Sequence, residues 1–111
     1  MMPKVKVVYV DKKIAGFWGM NARAARTLGI KKHFPYDDNT IAVLKRAKPG
    51  KRQWLKEHET TELKLMAQGL SYREAHAQTM VRMEEYATLD AARHDADRMI
   101  EQARKWKRAR K

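Results

Sequence analysis

Hydrophobic residues fall into short β-like runs in the first part of the chain and into helical periodicity in the rest. Val5 to Val10 (Val-Lys-Val-Val-Tyr-Val) is β-branched and aromatic, which predicts a strand. Asp11-Lys12-Lys13 would turn the chain, and Ile14 to Trp18 would return as a second strand. Asn21 is placed to cap a short helix over Ala22 to Leu28, closed by Gly29. Lys31 to Asn39, with Pro35, Asp37 and Asp38, has loop chemistry. Thr40 to Leu44 (Thr-Ile-Ala-Val-Leu) reads as a further strand, and Lys48-Pro49-Gly50 breaks the chain after it.

From Lys51 to Gln68 the period becomes helical, and Gly69 stops it. Ser71 with Glu74 three residues on is a capping-box pattern, which starts another helix that runs to about Tyr86. Thr88 would cap a last helix from Leu89 to about Ala109. That segment carries Leu89, Ala92, Ala96, Met99, Ala103 and Trp106 at alternating spacings of three and four. Such a stripe can pack on its own domain or on a second copy of the chain. The expected fold class is α+β: a short antiparallel or mixed sheet of two to three strands packed on a helical hairpin, with a long C-terminal helix. We expect one domain over residues 1–111. Residues 1–50 would form the strand and short-helix part, 51–86 the hairpin and 88–111 a basic C-terminal helix.

Polar residues interrupt the apolar faces of the hairpin. On the first helix Trp54, Leu55, Leu63, Leu65 and Met66 mark one half of the wheel, and His58 and Glu62 fall inside it. Glu59 lies toward its margin. On the second helix Tyr72, Ala75, Thr79, Met80, Met83 and Tyr86 form the apolar face, and His76 sits on it. Glu62 and His76 are equidistant in sequence from Gly69, so an antiparallel pairing sets them at the same height. Burying ionisable groups is costly unless they are paired, neutralised or bound to a metal. Two readings follow: a hydrogen-bonded polar network, or a metal site with His58, Glu62 and His76 as ligands. Zn2+ is the expected ion. Three protein ligands leave a fourth position open, and Glu59 would serve as general base.

The strand, the basic connection and the His58-Glu59-Thr60-Thr61-Glu62 helix together resemble a minimal zincin metallopeptidase domain over about Asp38 to Tyr86. The resemblance implies His58 as first ligand and Glu59 as base, with peptide hydrolysis as the reaction. Glu62 stands where that family has a second histidine. The segment Gly69 to His76, with its Tyr72-x-x-Ala75-His76 pattern, resembles small phage and archaeal proteins that follow such a helix in the same way. His33, in a loop, and His94, beside Arg93 and Asp95 on an exposed helix face, read as solvated side chains.

Charge adds a second line of inference. The 25 Lys and Arg exceed the 13 Asp and Glu, a formal net charge of +12 over 111 residues. Such an excess favours nucleic acid or another polyanion as partner. Candidate contacts are Lys45, Arg46, Lys48, Lys51 and Arg52 around the start of the first long helix, and Arg104, Lys105, Lys107, Arg108 and Arg110 in the C-terminal tail, with Trp106 among them. Cysteine is absent, so disulfides and thiolate metal sites are excluded. No apolar run approaches the ~20 residues a membrane helix needs, and no signal-peptide pattern is visible, so the expected location is the cytoplasm.

Overall fold

The computed structural model describes residues 4–110. It is an α+β fold with three strands and four helices: β1 Lys6–Val10, β2 Gly19–Asn21, α1 Ala22–Thr27, β3 Thr40–Leu44, α2 Pro49–Ala67, α3 Tyr72–Arg82 and α4 Leu89–Arg108. The sheet is mixed, in the order β1-β3-β2. β1 runs parallel to β3 and β2 antiparallel to it. Central β3 is buried at all five positions, which is why it reads as an unbroken apolar run rather than an alternation. Ile41 and Val43 face Leu55 and Leu63 of α2. Ala42 faces the opposite cluster, built from α1, Ile30, Phe34 and Ala103.

The second strand is displaced from its expected place. Ile14 and Phe17 exchange backbone hydrogen bonds across a tight turn, in which Ala15 and Gly16 both adopt positive φ. The chain reaches β3 only at Trp18, whose carbonyl accepts from the Leu44 N–H, and pairs with it as a strand from Gly19 onward. Ile14 to Trp18 is therefore a turn, because a left-handed pair cannot continue an extended strand. Within the expected loop, Lys31–His33 forms one 3-10 turn.

The helices begin and end on local chemistry. Pro49 starts α2 two residues earlier than expected. It occupies the first turn, where its missing N–H costs no hydrogen bond. Ser71 and Thr88 accept from the backbone N–H groups of Glu74 and Ala91 and cap α3 and α4. α3 stops at Arg82, short of the expected Tyr86, where Glu84 takes a φ of 60°. The reversal swings Tyr86 back toward α4, and its hydroxyl donates to Asp95.

The apolar stripe of α4 turns inward. Ala92, Ala96 and Ala103 are almost fully buried, and Met99 and Trp106 pack on the main cluster. Small side chains let α4 lie close on α3. Arg93 clamps Glu74 and Arg73 pairs with Asp97 at the rim of that contact. Only Leu89 of the stripe, 38% accessible, remains outside. No helix of the described residues is long and apolar enough to cross a membrane. Ala96→Leu should overpack the α3–α4 contact and lower unfolding free energy by about 1–3 kcal/mol. Leu89→Ala should change it by no more than about 0.5 kcal/mol. Urea unfolding followed by circular dichroism measures both.

Candidate metal centre

Residues 55, 58, 59, 62, 65 and 66 form the buried seam of α2, spaced three and four apart. Leu55, Leu65 and Met66 supply its apolar ends, and His58, Glu59 and Glu62 its middle. The short turn through Gly69, whose φ is 107°, reverses the chain so that α3 lies against this seam. His76 thereby meets Glu62 as the symmetric spacing about Gly69 requires. The accessibilities are 4% for His58, 6% for Glu59, 2% for Glu62 and 5% for His76.

Glu62 is the hub. Its Oε2 accepts from Nε2 of His58 at 3.0 Å and from Nδ1 of His76 at 2.9 Å. Its Oε1 accepts from Nδ2 of Asn21 at 2.8 Å. Asn21 also accepts from the backbone N–H of Ala24 through Oδ1, so the residue that caps α1 anchors the hub too. On the far side, Nε2 of His76 donates to Oδ2 of Asp95 at 2.7 Å. Tyr86 and Arg98 donate to the other Asp95 oxygen. An ionised carboxylate only accepts hydrogen bonds, so His76 must donate from both ring nitrogens and is an imidazolium between two anions.

The titration behaviour follows from this geometry. Burial opposes a charge on Glu62, but the hydrogen bonds from His58 and His76 outweigh it and hold the carboxyl down at about 2. Burial likewise opposes protonation of His76, and the bonds and charges of Glu62 and Asp95 overcome it, raising the ring to about 9. His58 moves upward for the same reason, against its own desolvation. Glu59 behaves in the opposite way to Glu62. Burial and then the Glu62 charge push it up to about 8, so it holds its proton at neutral pH. Two carboxyls one turn apart thus sit in opposite protonation states.

Glu59 Oε2 lies 4.0 Å from His58 Nε2. Its seat exists because residue 19 is glycine: a Cβ there would stand 3.0 Å from Glu59 Oε2 and 3.2 Å from a Leu55 methyl. The cluster forms the polar floor of a cavity of about 160 Å3. Trp18, Met20, Trp54, Leu55, Tyr72 and Met99 contribute its walls. A void of about this volume holds a single benzene-sized group. The Trp54 ring stacks on His58 at 5.1 Å, and the Lys51 ammonium sits over the Trp54 ring at 4.4 Å.

One ligand atom each from His58, Glu62 and His76 lies within 4.8 Å of the others. Tetrahedral zinc with bonds near 2.0–2.1 Å spaces its ligands about 3.4 Å apart, so small side-chain rotations reach that geometry. Asp95 stands on the distal nitrogen of His76, the position an outer carboxylate takes on a metal-bound imidazole. His58 has no such support, since its buried Nδ1 lacks a hydrogen-bond partner among the described residues. Asp95, Asn21 and Gly19 were not anticipated. The sequence sets Asp95 with its neighbour His94 on an exposed face, yet Asp95 is 7% accessible, whereas His94 is exposed. Its position three residues after Ala92 and four before Met99 was the available signal.

The basic candidates divide. Lys45, Arg46, Lys48 and Lys51 are exposed and Arg52 is half-buried around the start of α2, away from the cavity floor. Arg104 and Arg108 both pair with Glu101. Lys105 lines a separate cleft with Glu101 and Gln102. Lys107 and Arg110 stand on the other side of α4, beside Trp106. Comparison with protein-family models, curated proteins and solved structures finds no match to this chain.

Metal-free protein should lose stability as pH rises. A histidine whose folded pKa is raised stabilises fully below its ordinary value of 6.5, and the contribution of His76 disappears as pH climbs through about 9. Glu59, raised to about 8, acts in the same direction above its ordinary 4.5. Thermal unfolding of chelator-treated protein from pH 6 to pH 9.5 should show a falling Tm, and Asp95→Asn should flatten the upper part of that fall.

Proposed function

We propose that the chain is a divalent-metal-binding domain of zincin-like character, with His58 Nε2, His76 Nδ1 and Glu62 Oε2 as ligands and zinc as the ion. The observation that carries the reading is the convergence of two imidazole nitrogens on one carboxylate oxygen, at the floor of an apolar cavity. Two imidazoles and one carboxylate are a donor set that catalytic zinc sites use. Its order along this chain, with the carboxylate in the helical i+4 position and a histidine from the next helix, departs from the zincin pattern. A bound ion of this class supplies Lewis acidity toward a carbonyl or similar group.

The remaining roles belong to the protein. Burial and the neighbouring Glu62 charge push the Glu59 carboxyl up, so it keeps its proton in the metal-free state. A cation beside it would favour ionisation and make it a base facing the cavity. Asp95 fixes the His76 ring through Nε2. Trp54 and Tyr72 hold an apolar group near the polar floor and exclude water from it. The reaction these roles suit is hydrolysis of a peptide or similar bond next to one small apolar or aromatic side chain.

A second reading is favoured by a specific fact: both carboxylate oxygens of Glu62 and both ring nitrogens of His76 already have partners without any ion. The cluster would then be a structural network that fixes how α2, α3 and α4 pack. One experiment separates the two. Purified chain is dialysed against zinc, its metal content measured, and its melting followed with and without chelator. The metal reading expects about one zinc per chain and a Tm raised by zinc. It expects both effects to vanish in His58→Ala, a variant whose helical signal should persist. Zinc content near zero with an unchanged Tm would overturn the metal reading and leave the network.

A further inference from the structure

A second site shares no lining residue with the cavity over Glu62 and is independent of the metal reading. The Lys12-Lys13 turn, the Lys31–His33 turn and the end of α4 are far apart in sequence, yet they enclose two adjoining grooves. The larger, about 510 Å3, runs beside Tyr9, Lys12, Lys13 and Tyr36. The smaller, about 230 Å3, lies between Lys32, Lys107 and Arg110. His33 and Trp106 line both and join them, their rings packed edge to face at 4.7 Å.

The charge of this surface is uncompensated. None of Lys12, Lys13, Lys32, Lys107 and Arg110 is ion-paired among the described residues, and Asp11 is the only acid lining either groove. Elsewhere on α4 the arginines are neutralised: Arg93, Arg98, Arg104 and Arg108 each contact a carboxylate. Aromatic rings are interleaved with the free cations. Tyr9 is 52% accessible on the sheet edge, and the Arg110 guanidinium lies 4.2 Å over the Trp106 ring, where a base could replace or join it.

We propose that these two grooves form a binding track for single-stranded nucleic acid, with the lysines and Arg110 on phosphates and Tyr9, His33 and Trp106 meeting bases. Free cations alone would suit any polyanion. The aromatic rings set within the grooves favour one with flat, stackable groups. Contacts to phosphates and to the flat faces of bases carry no base-edge information, so recognition is sequence-tolerant.

The test is fluorescence anisotropy with labelled twelve-nucleotide oligo(dT) and oligo(U), the matching duplex, heparin and a poly-glutamate peptide, over a salt series. Single strands should bind best, with log K falling linearly in log salt at about 0.7 per phosphate contacted. Lys12→Glu with Lys107→Glu should weaken binding at least about tenfold and reduce that slope. Tyr9→Ala, an exposed position, should weaken it several-fold with the slope unchanged. The charge-matched control, Lys64→Glu with Arg82→Glu, reverses two exposed cations away from both grooves and should change affinity little. Equal losses in the two double variants would overturn the proposal, as bulk charge would then suffice. So would heparin or poly-glutamate binding as tightly as oligo(dT), or a Tyr9→Ala variant that binds normally.

Discussion

A carboxylate removed from water must be given hydrogen bonds or lose its charge, and Glu62 receives three. They come from His58 on its own helix, from His76 on the next, and from Asn21 at the joint of β2 and α1. Desolvating such a group costs several kcal/mol, which only well-aligned partners offset. The requirement therefore fixes more than one side chain. It sets the height of α3 against α2, holds the cap of α1 against α2, and draws α4 in through the bond from His76 to Asp95. The apolar clusters on the two faces of β3 supply most of the burial, but they do not by themselves specify one sliding position of the helices.

The same hub splits the behaviour of neighbouring acids. Glu59 and Glu62 are one turn apart and both buried, yet one keeps its proton and the other surrenders it. The difference lies in partners: Glu62 has donors on both oxygens, while Glu59 faces the cavity and the backbone of Gly19. Groups whose environments drive their titration apart are the raw material of acid–base chemistry. They are equally the signature of a strongly coupled structural network.

The sequence carried the parts of this arrangement that are local. β3, the caps at Asn21, Ser71 and Thr88, and the polar interruptions at positions 58, 62 and 76 all follow from spacing and turn residues. The height match of Glu62 and His76 was legible because a short antiparallel turn leaves little freedom. What failed was non-local or backbone-specific. Ile14, Phe17 and Trp18 have strand-like side chains, but the positive φ of Ala15 and Gly16 curls them into a turn. Gly19-Met20-Asn21 has weak strand propensity and pairs because β3 offers an edge. Asn21 announces itself as a cap, while its second bond, 41 residues away, has no local signal. The basic tail is uniform in composition but not in charge, because Glu101 occupies two of its arginines.

The account stands on His58, Glu62 and His76 sharing one point in space and being able to hold an ion there. Anomalous diffraction at the zinc absorption edge, from crystals grown with zinc, tests this directly. The expected map has one peak about 2.0–2.2 Å from His58 Nε2, His76 Nδ1 and Glu62 Oε2 together. A map with no peak at that point, or one in which the three side chains stand apart, would contradict it.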